Sequence, residues 1–168
     1  MKIRAKKLTI LSLFTTVALV LSFVEFLLPP VFSYLPGIKI GLPNIIIIFL
    51  LYEFSLKDAA AVSVLRIFLS CLLFGNTLTL MYSLAGGILS LFIMWLLKKS
   101  NKFSKIAISI SGGVFHNIGQ VSVAVWIMKT KEIFYYSAPL LISGIISGAL
   151  VGLAAYFLIK NLNKQKKI

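Results

Sequence analysis

The sequence has very few acidic residues and one cysteine. Among its 168 residues, four are Asp or Glu, against 17 Lys and Arg and one His. The acids are scattered along the chain, at Glu25, Glu53, Asp58 and Glu132. Enzymes that use Mg²⁺ hold it with clustered carboxylates, so this scatter argues against such a site. The lone Cys71 forms no internal disulfide and says little about the redox compartment.

Other signatures of catalysis are missing as well. The sequence has no Walker motif for nucleotide phosphates, so the chain is not expected to hydrolyse ATP by itself. A single His without a suitably placed acid or Ser motif is a weak sign of catalysis. We therefore expect that the chain is not an enzyme, and we assign it no metal and no resident cofactor.

What the sequence has in abundance is apolar residues. Hydrophobic residues make up 60% of the chain, charged residues only 12%, and the mean hydropathy is +1.02. Soluble domains are about half apolar and about one quarter charged. The composition therefore predicts an integral membrane protein. The net charge of +13 does not indicate nucleic-acid binding, because the basic residues form short clusters between apolar runs.

Six apolar segments predict an all-α protein, a single domain over residues 1–168 built as a bundle of six transmembrane helices. A membrane-spanning helix needs roughly 20 residues, and the second and third segments are short for that purpose. A short segment of this kind is alternatively a buried or re-entrant piece. The six segments are Leu8 to Leu28, Leu42 to Phe54, Asp58 to Phe74, Leu78 to Leu97, Ile106 to Met128 and Phe134 to Ile159.

The distribution of basic residues predicts the orientation of this bundle. With the N-terminus inside, the inner segments hold 13 Lys and Arg residues and the outer loops hold three. Cytoplasmic loops of membrane proteins carry such an excess. We expect both termini in the cytoplasm of a multi-pass protein of the bacterial plasma membrane. The first segment lacks a small-residue cleavage site, so we interpret it as a retained helix rather than a signal peptide.

Several polar side chains lie inside the predicted spans. The stretch "SGGVFHNIGQVSVAVW" carries His116, Asn117 and Gln120, and the third segment carries Arg66. A charged group in a span costs a few kcal/mol and usually faces a cavity or a partner. In the predicted orientation these residues cluster in the outer half of the bilayer. They therefore predict a ligand cavity that is open to the outside.

The predicted substrate-binding residues are drawn from several segments. Simpler interpretations remain: Asn117 and Gln120 as interhelical hydrogen bonds, His116 as a packing residue, and Arg66 as the ion-pair partner of Glu25. Arg66 and His116 favour an anionic or carbonyl-rich ligand, and the many apolar residues favour an apolar or flat aromatic body. The full set is Lys39, Asn44, Arg66, Asn76, Tyr82, His116, Asn117 and Gln120.

Small residues recur every four positions in two segments. Gly144, Gly148 and Gly152 form a stripe that allows close helix contact, and we interpret it as internal packing. Ala18 and Ser22 have the same spacing in the first segment. For this pair, an interface with a partner protein is a second interpretation.

Four stretches resemble a known family over nearly the whole chain. They are "GIKIGLPNIIIIFLLY", "LRIFLSCLLFGNTLTLMYSLAGGILS", "GGVFHNIGQ" and "APLLISGIISGALVG". Together they are similar to the Gx transporter family, historically labelled heptaprenyl diphosphate synthase component I. That family is grouped with the substrate-binding S components of energy-coupling factor (ECF) transporters.

The resemblance implies a membrane subunit that captures a small molecule from outside and works with a transmembrane scaffold and ATPase subunits. It also implies that the Lys39 loop is a gate and that Ala18 and Ser22 form a docking face. Here Ser22 replaces the second Ala of the usual motif. A flavin or other vitamin, an isoprenoid or a quinone precursor would each suit the predicted cavity. The alternative function is a membrane accessory subunit of a heptaprenyl diphosphate synthase or of a membrane redox system.

Overall fold

The regular structure of the chain is entirely helical wherever it is described. The computed structural model describes residues 2–28, 40–129 and 137–165, and the regular elements in these ranges are six α-helices. This confirms the all-α prediction for those ranges. The helices are α1 (Lys2–Leu27), α2 (Asn44–Glu53), α3 (Leu56–Phe74), α4 (Thr77–Ser100), α5 (Lys105–Met128) and α6 (Ser137–Gln165).

Three of these helices are long and apolar enough to cross a membrane. They are the stretch Ala5–Leu27 of α1, Thr77–Ser100 and Ser137–Gln165. The second helix is as short as the sequence predicts, with 10 residues. At about 1.5 Å per residue, α2 is about half as long as a membrane-spanning helix.

Polar residues at the turns end one helix and start the next. The Ser55 side chain accepts a hydrogen bond from the Asp58 N–H at the start of α3, and Asn76 and Ser104 do the same for α4 and α5. Asn101 ends α4 in the left-handed conformation, with φ at 56°. Such caps satisfy backbone groups that a helix leaves without partners, so the breaks between α2, α3, α4 and α5 are encoded locally.

Five helices form a closed ring, and α1 packs on its outside. Each of α3, α4, α5 and α6 packs against the next, and α2 closes the ring between α6 and α3. The first helix packs mainly against α3 and to a lesser extent against α2. The apolar core lies around α2, where every residue from Ile46 to Leu51 is buried.

The seams on both sides of α5 are tight because glycines let the backbones approach. A Cβ atom on Gly113 would lie 2.3 Å from the Gly144 carbonyl oxygen of α6. On the other side, a Cβ atom on Gly119 would lie 2.8 Å from the Ala85 carbonyl oxygen of α4. The stripe of Gly144, Gly148 and Gly152 is buried, which confirms its interpretation as internal packing.

The bundle has two chemically different ends. We call the end that holds the start of α1 and the α4–α5 turn the basic end. There Lys7 Nζ lies 2.8 Å from Asp58 Oδ1, and the Lys98 ammonium donates a hydrogen bond to the Leu51 carbonyl at the end of α2. The opposite end holds the α3–α4 turn, and we call it the cavity end. The described Lys residues at the basic end are Lys6, Lys7, Lys57, Lys98, Lys99, Lys102, Lys105, Lys160 and Lys164.

The glycine contacts predict a difference between two similar substitutions. We expect Gly119→Ala to destabilise the bundle by about 1–3 kcal/mol, because the new methyl group meets backbone atoms that do not yield easily. Gly87→Ala is the matched control, since its Cβ would meet only the tip of Ile67, at 3.0 Å, and Ser63 Oγ, at 3.7 Å. Thermal unfolding in detergent measures both variants. Equal melting temperatures would contradict the close contact of α4 and α5.

A polar cavity at one end of the bundle

A cavity of about 410 Å³ lies inside the bundle towards the cavity end, and all six helices contribute to its wall. Its polar side chains come from different helices. Those of α1 to α3 are Ser22, Glu25, Asn44, Arg66, Ser70 and Cys71, and those of α4 to α6, with the residue before α4, are Asn76, Thr79, Ser83, Ser90, Ser109, His116, Asn117, Gln120 and Ser147. The apolar remainder includes Phe26, Ile48, Phe74, Met94 and Val151.

Arg66 is the charged centre of this cavity. Its Nη2 atom lies 3.4 Å from Asn44 Oδ1, which is a long hydrogen bond. Its Nε atom is buried and makes no hydrogen bond to any residue in the described ranges. A guanidinium has five N–H donors and does not lose its charge, and within the described ranges the bond to Asn44 uses one of them.

Glu25 lies in the part of the cavity wall that α1 provides, and it holds the start of α2. Its Oε1 atom accepts a hydrogen bond from the Gly41 N–H, and its charge acts on Arg66. Gly41 has φ at +78°, a left-handed conformation that favours glycine. This turn places Asn44 at the first position of α2, within reach of Arg66. The carboxylate therefore both carries charge in the cavity and fixes the position of Asn44.

His116 and Gln120 form a pair on one face of α5. Gln120 Nε2 lies 3.1 Å from His116 Nε2, as their four-residue spacing predicts. Both line the cavity together with Arg66. The pair is braced from behind by α4, because a Cβ atom on Gly86 would lie 3.0 Å from His116 Cε1.

Asn117 has a different role from its neighbour on the chain. Its side-chain amide donates a hydrogen bond to the Leu140 carbonyl of α6 and lies 3.4 Å from Ser143 Oγ. The interhelical interpretation therefore applies to Asn117, although the residue also lines the cavity. Asn117 ties α5 to α6 and so holds the cavity wall in place.

The remaining predicted substrate-binding residues are placed less centrally. Asn76 lines the cavity at its mouth, but its side-chain oxygen caps α4 by accepting a hydrogen bond from the Thr79 N–H at 2.8 Å. Tyr82 lies on α4 and is not among the residues of the cavity wall. Lys39 lies outside the described residues. The structure thus brings together six of the eight predicted residues: Asn44, Arg66, Asn76, His116, Asn117 and Gln120.

Ala18 and Ser22 face the inside of the chain. Their exposed fractions are 0% and 8%. Ser22 also lines the cavity, and its hydroxyl donates a hydrogen bond to the Ala18 carbonyl at 2.9 Å. This placement favours internal packing, because a partner would reach the pair only if α1 separated from the bundle.

Sequence reasoning missed the hydroxyl and thiol groups of the wall. Ser70 and Cys71 of α3 face the cavity one turn after Arg66, and Thr79 and Ser83 face it from α4. A single Ser or Thr in an apolar helix usually indicates no binding site, because its hydroxyl can donate a hydrogen bond to a backbone carbonyl of the same helix. The signal that could have found three of them is a spacing of four, since Ser70 lies four residues after Arg66, and Thr79 and Ser83 are four apart.

The cavity wall offers groups that can bind a small polar molecule. Within the described ranges, no three of the residues His, Cys, Asp and Glu come close enough together to hold a metal ion. What the wall offers is one guanidinium, one carboxylate, an imidazole–amide pair and several hydroxyls on an apolar frame. Pockets of about 300–1,000 Å³ with a few convergent polar groups are typical small-molecule sites.

Comparison with known proteins gives one match. The family model described as "Heptaprenyl diphosphate synthase component I" matches residues 14–158, which include all six cavity residues that were predicted. No curated protein and no solved structure matches the chain significantly.

The bond from Asn117 to α6 predicts an effect on stability. We expect Asn117→Ala to destabilise the bundle by about 0.6–1.7 kcal/mol, since the Leu140 carbonyl loses its interhelical partner. Ser122→Ala is the control, because the Ser122 hydroxyl bonds only within α5, to the Ile118 carbonyl. Melting temperatures of both variants in detergent test this. An unchanged Asn117→Ala would show that the amide does not hold α6.

Proposed function

Because the chain belongs to the heptaprenyl diphosphate synthase component I family, as the sequence resemblance indicated, we propose that it is a membrane-embedded substrate-binding subunit. The description of the family as a component implies partner subunits. In this proposal the chain acts like the S component of an ECF transporter. It captures a small molecule from the outer side, and a scaffold with ATPase subunits drives its release into the cell.

The observation that carries this proposal is the state of Arg66. A charge inside an apolar bundle is costly unless a partner or a cavity receives it. Arg66 lines the cavity, and its one hydrogen bond to a described residue is the long bond to Asn44. We expect the guanidinium of a purely structural arginine to donate most of its hydrogen bonds to other protein groups. In a binding site, N–H donors of the guanidinium remain available to a ligand.

The distribution of charge supports an outward-facing cavity. Lysines collect at the basic end, whereas the cavity opens towards the other end, where the α3–α4 turn contributes Gly75 and Asn76 to its wall. Under the positive-inside rule, the basic end faces the cytoplasm. In this proposal the six helices form a multi-pass bundle in the bacterial plasma membrane, with both termini inside and the cavity facing outward.

A second function rests on the family description itself. As an accessory component of a heptaprenyl diphosphate synthase, or of a membrane redox system, the chain would present a docking surface at the basic end. The described acids at that end are already engaged: Asp58 pairs with Lys7, and Glu53 accepts a hydrogen bond from Asn163 at 3.3 Å. We place this function second because the polar cavity would then have no use.

The proposed function predicts that a small molecule leaves the purified protein on denaturation. We expect wild type to release it in stoichiometric amount, detected by absorbance and mass spectrometry. The purified Arg66→Leu and Gln120→Leu variants should each retain at least about tenfold less of the small molecule than wild type. The reason is that a hydrogen bond to a charged group contributes about 1.5–3 kcal/mol. The bundle itself should stay folded by circular dichroism.

Lys57→Leu is the matched control for the charge. Lys57 lies on the same helix as Arg66, but it is exposed at the basic end. It should retain as much small molecule as wild type. Full retention by both Arg66→Leu and Gln120→Leu would refute the proposed site. If wild type released nothing and instead captured a prenyl synthase subunit, the accessory function would be favoured.

The proposed orientation predicts which positions react from outside the cell. With Cys71 replaced by Ser, we expect Thr77→Cys at the α3–α4 turn to react with a membrane-impermeant maleimide on intact cells. Lys102→Cys in the α4–α5 turn should react only after permeabilisation. Both native side chains are exposed. The reverse pattern of labelling would place the cavity on the cytoplasmic side.

A further inference from the structure

We propose that the seam between α1 and α3 at the cavity end is a lateral portal, through which an anionic amphiphile leaves the bilayer and places its head group on Arg66. The inference rests on the function proposed above. It adds two things to that function, the chemical class of the ligand and its route into the cavity.

Among the described residues, three aromatic rings pack in this seam. The rings of Phe26 and Phe74 are 5.2 Å apart, and those of Phe23 and Phe74 are 5.7 Å apart. Phe26 and Phe74 both line the cavity, and 56% of Phe26 is exposed. Phe26 is thus both a wall residue of the cavity and a largely exposed side chain of α1.

The seams along α5 are held by tight contacts. Glycines bring backbone against backbone on both sides of this helix, as at Gly113 and Gly119. The ends of α3 and α4 are joined by the two residues Gly75 and Asn76, which keep them together at the cavity end. Close backbone packing does not stretch continuously, so opening is not expected at these places.

The first helix packs mainly against α3. Near its start, Lys7 forms an ion pair with Asp58 of α3, whereas near its end its contact with α3 is aromatic and partly exposed. The end of α1 is also tied to the start of α2, because Glu25 accepts a hydrogen bond from the Gly41 N–H. Opening the portal therefore requires that the rings separate and that the turn at Gly41 moves with α1.

The chemistry along this route defines the ligand. The outer part of the path is aromatic, and the inner part offers the guanidinium of Arg66, because the nearby Ser22 and Ser70 hydroxyls already donate to carbonyls of their own helices. An arginine binds phosphate or carboxylate well, whereas an alkyl chain gains nothing from it. A molecule with a small anionic head and one apolar chain matches both parts, with its chain lying in the seam.

The ligand class is tested with three probes on the full chain in phosphatidylcholine nanodiscs. Cys71 is the only cysteine and lines the cavity, so slower alkylation of Cys71 by N-ethylmaleimide reports occupancy. Dodecyl phosphate should protect Cys71 at a concentration about tenfold lower than dodecanol does, because only the phosphate can bond to Arg66. Inorganic phosphate should not protect it at the same concentrations.

Two variants test whether Arg66 is the residue that binds the phosphate head group of dodecyl phosphate. Arg66→Gln should remove the advantage of dodecyl phosphate over dodecanol, and Lys57→Gln should keep it. Equal protection by the two probes in wild type would overturn the anionic class. Protection by inorganic phosphate alone would overturn the need for a chain.

The portal is tested by the rate at which protection develops. Phe23 contacts Phe74 but does not line the cavity, and it is 46% exposed. Phe23→Ala should increase the rate at which dodecyl phosphate protects Cys71. The rate of protection by the water-soluble propyl phosphate should stay unchanged. Phe68→Ala is the control, since Phe68 is an exposed ring of α3 outside this cluster. Phe74→Ala is a second variant that opens the seam from the side of α3.

The outcomes separate this inference from the proposed function. If Phe23→Ala and Phe74→Ala speed both probes equally, or neither, the ligand enters through the aqueous mouth and the portal is wrong. If purified wild type releases a small molecule of another class and dodecyl phosphate gives no protection, the binding function stands and this inference fails. If no molecule is released and no probe protects Cys71, both fail.

Discussion

The close approach of the α5 backbone to α4 and α6 is the constraint on which the rest of the bundle depends. Only glycine leaves room for it, as Gly113 and Gly119 show. With apolar tails as solvent, helices gain little from burying apolar surface, and van der Waals packing between close backbones takes over. The result is a rigid half of the bundle, on which His116 and Gln120 are held facing the cavity.

The other half of the bundle is built on different contacts. The first helix and the cavity end of α3 meet through aromatic rings, and the short α2 is buried between its neighbours. The two halves meet across the cavity, with Arg66 on the softer side and the His116–Gln120 pair on the rigid side. If the cavity binds and releases a ligand as proposed, the tightly packed wall would set the geometry of the site.

Much of this arrangement was legible in the sequence. The apolar runs predicted the helices, because a run of apolar residues between polar turns has few other structures in a membrane. The cost of polar groups in hydrocarbon predicted that Arg66, His116 and Gln120 would share one environment, and they line one cavity. The four-residue spacing of the glycines predicted their packing role.

Other features needed the three-dimensional structure. The bond from Asn117 to Leu140 joins positions 23 residues apart, and nothing in the local pattern distinguishes Asn117 from a ligand-binding Asn. The small-residue pair Ala18 and Ser22 looks the same in sequence whether it faces the bundle or a partner. The serines of the cavity wall could not be identified from the sequence for the same reason. The direction in which each side chain faces depends on how its helix is rotated relative to its neighbours.

The shortness of α2 has an electrostatic consequence. Aligned peptide dipoles give a helix about half a positive charge at its N-terminus. Because α2 starts beside the cavity, this end lies next to Glu25, which bonds to the Gly41 N–H, while the Lys98 ammonium compensates the opposite end at Leu51. The positive end of the α2 dipole and the Glu25 carboxylate therefore attract each other. Because the hydrogen bond and the dipole both act on Glu25, the end of α1 and the start of α2 hold each other in place beside Arg66.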